Sequence, residues 1–301
     1  MTAIRRSIPC AVLGTLFLFL SFPSPEACTL WGAAGTSVEA GGTLVAKNRD
    51  WAPDHRQELA VLKPSEGYRS LVLNARGGEE PGVKAGVNEQ GLVILSATAN
   101  QVPSAERKKV QQQRGLLRHL LATCATVDDV MKNLELMHRP VFYLAGDRKE
   151  IAIIEVGPDG KRSVMRRDSG TLHHTNHYSD IATQVSGRKP SPSSSQRYER
   201  IAELLKTQDR PFTVEDFIRF SEDQTAGPDN SIWRTGSRPG ARRTLAAWVV
   251  SVPLSGSPRL YLKIADPGGA EQVCRLSIEA GLRLSGGDRI PLGAGVCRDV
   301  R

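Results

Sequence analysis

Gly41-Gly42 constrains this chain more than any other pair of residues. It stands between two apolar alternating runs, one starting at Cys28 and the other being Thr43-Leu44-Val45-Ala46-Lys47. Paired glycines in that position predict a hairpin, because the tight turns joining antiparallel strands need positive φ and glycine adopts it without a steric penalty. A hairpin folds the end of the second strand back beside the start of the first. It therefore brings Asn48-Arg49-Asp50-Trp51 close to Cys28-Thr29. So placed, Asp50 can hold an α-ammonium group or the Cys28 thiol, while Arg49 or Lys47 supplies positive charge beside a thiolate. The same residues also read as a polar strand end turned to water.

What precedes Cys28 decides which chemistry is available to it. Residues 1–27 have a basic start (Arg5, Arg6), an apolar run from Ala11 to Phe22, and then Pro-Ser-Pro-Glu-Ala. This is the layout of a secretory signal peptide, and it predicts an exported protein, periplasmic or secreted, with a single domain over residues 28–301. Removal of the leader through Ala27 would make Cys28 the first residue, with a thiol and a free α-amine on one residue. An α-amine titrates near pH ~8 and a thiol near ~8.5, so the amine can accept the thiol proton without a histidine. Pro25 stands where a small residue usually precedes the cut, and lipidation of a cysteine after such a leader is the competing outcome. No other run is long and apolar enough to cross a bilayer, so no integral span is expected in the mature chain.

With 301 residues and 40% hydrophobic content, the chain can bury a full core. Its net charge is +8, but the basic residues are dispersed among acids and accompany no nucleic-acid motif, so no nucleic-acid partner is expected. Cys274 and Cys297 can pair in an oxidising compartment, whereas Cys124 lies on an apolar helical face and reads as a small buried hydrophobe.

Further strands are expected at Ala60 to Leu62, Ser70 to Leu73, and on both sides of the Asn88-Glu89-Gln90-Gly91 turn. Helical spacing runs from Arg114 to Cys124, and Thr126 starts a second helix. Strands resume at Val141 to Leu144, Ile151 to Val156 and Ser163 to Arg166. Leu172-His173-His174-Thr175-Asn176-His177-Tyr178 reads as a strand end. Its three histidines have no carboxylate in ligand spacing, so no metal and no cofactor are expected, and Asn176 is the candidate oxyanion donor. After an exposed loop over 185–193, helices open at Ser194 and at Thr213, and strands follow over Thr244 to Val252 and Arg259 to Ile264. Arg197 near a helix start runs against the helix dipole, which suggests another use for it. Strands, helices and strands again fit sheets covered by helices, an α+β chain.

Five segments in order carry a resemblance. They are Cys28-Thr29, Asn48-Arg49-Asp50-Trp51, Gly86-Val87-Asn88-Glu89-Gln90-Gly91-Leu92, His174-Thr175-Asn176-His177-Tyr178 and Ser195-Gln196-Arg197-Tyr198. The chain resembles the N-terminal-nucleophile (Ntn) cysteine hydrolases of the choloylglycine hydrolase and penicillin V acylase superfamily, particularly the acyl-CoA:isopenicillin N acyltransferase-like branch. The resemblance implies an αββα sandwich of mostly antiparallel sheets and cleavage of a linear, non-peptide or side-chain amide through a thioester. It implies Cys28 as nucleophile, its amine as base, Asp50 positioning that amine, Asn176 in the oxyanion hole and Arg197 supporting the site. Arg49, Trp51 and Thr98 are then expected to meet a small-molecule acyl amide. Choloylglycine hydrolases have arginine where this chain has Lys47, and Thr98 stands near a common oxyanion asparagine, so bile-salt specificity is not expected. Transfer of the acyl group to an amine, and a non-catalytic binding role, are the alternatives.

Overall fold

The computed structural model describes residues 27–180, 188–284, 289–290, 292 and 297. The expected leader, apart from Ala27, and the first three residues of the loop expected over 185–193 lie outside those residues. The expected hairpin is the first element. Strands β1 (Ala27–Ala34) and β2 (Thr43–Trp51) pair antiparallel, with Ala27 opposite Asp50 and Cys28 opposite Arg49. Gly41 and Gly42 have φ of 64° and 74°, and a Cβ on Gly42 would lie 2.2 Å from the Val252 carbonyl oxygen, so this turn admits only glycine there.

A meander follows, made of β3 (Arg56–Leu62), β4 (Ser70–Arg76), β5 (Gly82–Asn88) and β6 (Val93–Thr98). At its last turn the Asn88 side chain accepts from the Gln90 and Leu92 amides and donates to the Leu121 and Cys124 carbonyls. The turn is thereby tied to the helices that come next, which are α1 (Ser104–Lys109), α2 (Leu116–Thr123) and α3 (Val127–Lys132). Thr126 caps α3 in a reciprocal box with Asp129. Strands β7 (Val141–Gly146), β8 (Ile151–Val156), β9 (Arg162–Arg167) and β10 (Gly170–His174) lead to α4 (Pro192–Lys206). Helix α4 begins two residues before the expected Ser194, because Ser191 accepts the Ser194 amide and Pro192 fits the first turn. Helix α5 (Val214–Ser221) has the same kind of box, from Thr213 and Asp216. The chain closes with β11 (Arg243–Val252), β12 (Arg259–Ile264), β13 (Gln272–Ser277), α6 (Ile278–Arg283) and β14 (Arg289–Ile290).

Two antiparallel sheets result. One has the order β10-β1-β2-β11-β12-β13, the other β14-β3-β4-β5-β6-β7-β8-β9. Strand alternation sorts the side chains into layers. Cys28, Leu30, Val45 and Trp248 face the second sheet and share an apolar core with Leu71, Leu95 and Leu144. Trp31, Leu44, Ala46 and Val249 face the other way and pack on α4 and α5 through Ile201, Leu205 and Phe217. Helices α2 and α3 cover the outer face of the second sheet, with Leu120, Leu121 and Val130 against Val72, Ile94 and Ile154. The layer order is therefore the αββα sandwich that the resemblance implied. Cys274 is disulfide-bonded to Cys297, and Cys124 is buried and unbonded. Among the described residues, no helix is long and apolar enough to cross a membrane.

Candidate active site

The alternation that builds the core also divides the site. Cys28 and Arg49 are paired, so they share the face between the sheets, along with Lys47 and Trp51 at even spacing. Asn48 and Asp50 point to the helical side. Asn48 donates to the Ser221 and Ile232 carbonyls at 2.8 Å each. The whole run from Lys47 to Asp50 is buried, at most 2% exposed, so the reading of a strand end turned to water is overturned. A fully buried run of three charges and one amide is costly, and each group has partners that explain it.

On the inner face, Cys28 Sγ lies 3.9 Å from Arg49 Nη1 and 4.0 Å from the Asp50 carbonyl oxygen. Arg49 Nη1 also donates to that carbonyl at 3.0 Å, and its guanidinium lies 4.0 Å from the Trp51 ring centroid. Lys47 donates to the carbonyls of Lys84 and Ser96 and so bridges the two sheets. Burial lowers its ammonium to about 7, against the opposing pull of Cys28. Cys28, Lys47, Arg49, Trp51, Thr98 and Tyr143 line a cavity of about 610 Å³, the size of an ordinary small-molecule site.

On the other side, the backbone N–H of Cys28 donates to Asn176 Oδ1 at 2.7 Å. Asn176 is held from three further directions. Its Nδ2 donates to the Thr98 carbonyl at 2.9 Å, its own amide donates to Ser194 Oγ, and its carbonyl accepts from Asn100. Arg197 supplies the last tie, reaching the Cys28 carbonyl (2.6 Å), Thr29 Oγ1 (2.9 Å) and Asn176 Oδ1 (3.0 Å). Its placement within α4 is thus explained by acceptors outside the helix. The Asp50 carboxylate accepts from Thr244 Oγ1 at 2.8 Å and makes no side-chain hydrogen bond to Cys28 among the described contacts. Burial pushes its carboxyl up, opposed by Arg234 and Arg197.

The other six candidate residues therefore converge on Cys28. Arg49, Trp51 and Thr98 share its cavity, while Asp50, Asn176 and Arg197 surround its backbone. Two buried residues beyond those nominated from the sequence, Glu155 and His174, also belong to this region. His174 Nε2 lies 2.7 Å from Glu155 Oε1 and Nδ1 lies 3.0 Å from the Thr175 carbonyl, so both ring nitrogens face acceptors. Burial pushes the Glu155 carboxyl up, but bonding and charge from His174 and bonds from Ser179 prevail and hold it at about 2. This pair anchors the segment that presents Asn176. The only sequence cue was the histidine cluster, read there as lacking a carboxylate, because Glu155 is nineteen residues away and reaches His174 only across sheets. His173 and His177 are lowered to about 4 by burial. Among the described residues, no group of His, Cys, Asp and Glu could hold a metal.

Among solved structures, the chain is similar to conjugated bile acid hydrolase from Clostridium perfringens. An arginine-to-leucine variant of that enzyme matches with TM-score 0.56 at 13% identity over 84% of this chain and 93% of that one. A cysteine-to-alanine mutant of the same enzyme matches with TM-score 0.54 at 12% identity over 84% and 92%. The Caenorhabditis elegans ortholog of N-acylethanolamine-hydrolyzing acid amidase matches with TM-score 0.51 at 14% identity over 76% and 94%. At such identities the likeness shows the Ntn-hydrolase fold. No curated protein sequence matches the chain. Residues 37–267 match the family described as acyl-coenzyme A:6-aminopenicillanic acid acyl-transferase, and with most of its length matched the chain belongs to that family.

Proposed function

We propose that this protein is an exported hydrolase of linear, non-peptide or side-chain amides, acting through Cys28 as an N-terminal nucleophile. The observation that carries this reading is the division around Cys28. Its thiol lines a cavity of substrate size beside a guanidinium, and its nitrogen is held separately by Asn176 Oδ1. Removal of residues through Ala27 would convert that nitrogen into an amine already held at 2.7 Å by an acceptor.

The thiol proton then passes to the α-amine as Sγ attacks the amide carbonyl. The C–N bond breaks as the amine returns the proton to the leaving nitrogen, and a thioester remains. Water adds to the thioester, a proton goes back to sulfur, and a carboxylic acid leaves. Asp50 supports the charge of the amine from the Ala27 side of the strand. Asn176 has a second amide N–H beyond the one that Thr98 uses, and this supports its role as an oxyanion donor. Arg49, Trp51 and Thr98 contact the substrate. The leader layout supports export to the periplasm or beyond. The partner is a small-molecule acyl amide, and no cofactor, metal or nucleic acid takes part.

The family description favours a second reading, in which an amine rather than water accepts the acyl group from the same thioester. Purified protein should start at Cys28 by mass and hydrolyse at least one member of an acyl-amide panel, and Cys28→Ser should fold but not turn over. A retained Glu26-Ala27 extension or a lipid on Cys28 in active protein would refute the mechanism. Product formed only when an amine acceptor is added would select the transferase.

A further inference from the structure

Lys47 starts in the first sheet and ends in the second. It stands opposite Leu30 of β1 and Trp248 of β11, on the face between the sheets, and its Nζ reaches the carbonyl oxygens of Lys84, at 2.9 Å, and of Ser96. The second sheet leaves both carbonyls free for it. Lys84 is the extra residue of a β-bulge, because Leu73 of β4 pairs with Ala85 and Asn74 with Val83, passing over it. On its other side the β5–β6 ladder ends at Ala85 with Leu95, one pair short of Lys84 with Ser96, although β6 runs on beside β7 as far as Thr98. The Lys47 nitrogen occupies that opening.

The opening faces the nucleophile. Lys47 lines the cavity of about 610 Å³ together with Cys28, Lys84, Ser96 and Thr98. Cys28 and Lys47 are diagonal neighbours across the β1–β2 pair, a separation of about 7 Å that long side chains span. Two tetrahedral positions of Nζ are taken by carbonyls, and no third partner exists among the described residues. The third position carries an N–H in the ammonium and the lone pair in the amine. Burial lowers the ammonium to about 7; Cys28 and Asp50 oppose the shift, while Arg49 and Lys84 add to it. Of the residues that β6, β7 and β11 bring alongside, Ser96, Tyr143 and Trp248, only Tyr143 titrates, and burial pushes its phenol up to about 12. Both forms of Lys47 are therefore present at neutral pH.

We propose that Lys47 is the base that activates water against the Cys28 thioester, a second proton acceptor distinct from the α-amine that serves the leaving nitrogen. This rests on the reading of Cys28 as a thioester-forming nucleophile. The Cys28 nitrogen is committed to Asn176 Oδ1, so the cavity side of the thioester needs an acceptor of its own. Water oxygen bonds to the thioester carbon as one of its protons passes to the Lys47 lone pair. The C–S bond then breaks, the same proton passes from Nζ to sulfur, and the carboxylic acid leaves with the amine restored. The two carbonyls hold Nζ in place in both protonation states, so no rearrangement accompanies the transfer.

Acyl-enzyme kinetics separate this role from mere support. The mature protein, Lys47→Met and Lys47→Arg are mixed with p-nitrophenyl butyrate; the nitrophenolate burst reads acylation, and the mass of the butyryl adduct on Cys28 reads its decay. Lys47→Met should acylate within about threefold of the parent and deacylate at least ~10² more slowly, the range for loss of a general base. Lys47→Arg should deacylate as slowly, since a guanidinium keeps the charge but accepts no proton. Parent deacylation should fall below pH 7, and both variants should lose that limb. Thermal melts confirm that each variant folds. Deacylation restored by arginine overturns the proposal and leaves Lys47 a fixed cation. Equal losses in the two steps, or decay at the parent rate in Lys47→Met, also overturn it. Absence of an adduct on Cys28 in all three proteins would instead refute the thioester itself.

Discussion

Arg197 Nη1 donates to the carbonyl oxygen of Cys28 at 2.6 Å, from a helix on the far side of the sheet from the thiol. The nucleophile is thus positioned by its backbone. The same guanidinium reaches Thr29 through Nη1 and Asn176 through Nη2, and its two separated nitrogens span acceptors that the single nitrogen of an ammonium would have to meet from one point.

Arg197→Lys should therefore keep the charge but lose two of the three contacts. The expected result is a folded protein with kcat reduced by roughly 10² and KM little changed, read from steady-state kinetics beside a thermal melt. Arg197→Met should instead lower stability by about 3 kcal/mol or more, since it leaves buried acceptors and Asp50 without the cation. Equal behaviour of the two variants would contradict the argument.

Asn176→Ala removes the acceptor for the Cys28 nitrogen and the donor to Thr98. A loss of ~10² to 10³ in kcat is expected, the range for a single oxyanion donor. Burst kinetics with an activated ester should show slower acylation. An unchanged acylation rate would remove Asn176 from the reacting centre.

Lys47 gives a stability signature in alkali. Its folded pKa, about 7, lies below the ordinary 10.5, so between these values the unfolded chain holds a proton that the folded chain has released. Stability contributed by this group must rise with pH across that window, and the full burial penalty is present below pH 7. Lys47→Met should abolish that rise, and its stabilising effect relative to the parent should be largest near pH 6. Urea melts at several pH values read the difference.

Glu155 acts in the opposite direction. Its folded pKa of about 2 lies below the ordinary 4.5, so its contribution is complete above pH 4.5 and is lost as pH falls toward 2. The linkage amounts to about 3 kcal/mol at neutral pH, as an order of magnitude. Glu155→Gln should destabilise at pH 7 and flatten the acid limb of the stability curve. It should also lower kcat through Asn176, while Ser179→Ala, which removes one bond to the same carboxylate, does so less.

Much of the frame was legible because it depends on local chemistry. Gly41-Gly42 could form only the turn it forms, Gly91 closes the expected turn with φ of 93°, and Thr126 and Thr213 cap where their hydroxyls predict. Helix α4 starts two residues before Ser194, since Ser191 and Ser194 can both cap and Pro192 favours the earlier start. Helix α1, strand β13 and helix α6 were not foreseen, being short and weakly patterned. Residues alone left Asn48-Arg49-Asp50 open between a buried site and a wet turn. Its burial is set by Ser221, Ile232 and Thr244, which come from distant parts of the chain. The pair of Glu155 with His174 shows in the sequence only as a histidine cluster, with nothing local to identify its carboxylate.

Strand β1 is flanked by β10 on one edge and β2 on the other. Cys28 extends from a strand clamped on both sides, with Arg197 on its carbonyl and Asn176 on its nitrogen. The orientational entropy of the nucleophile is therefore lost when the chain folds, not when substrate arrives. Binding energy from a ligand need only order the ligand. Calorimetry should accordingly find similar binding entropies for Cys28 and its alanine variant, and hydrogen exchange in β1 should be among the slowest in the molecule with or without substrate.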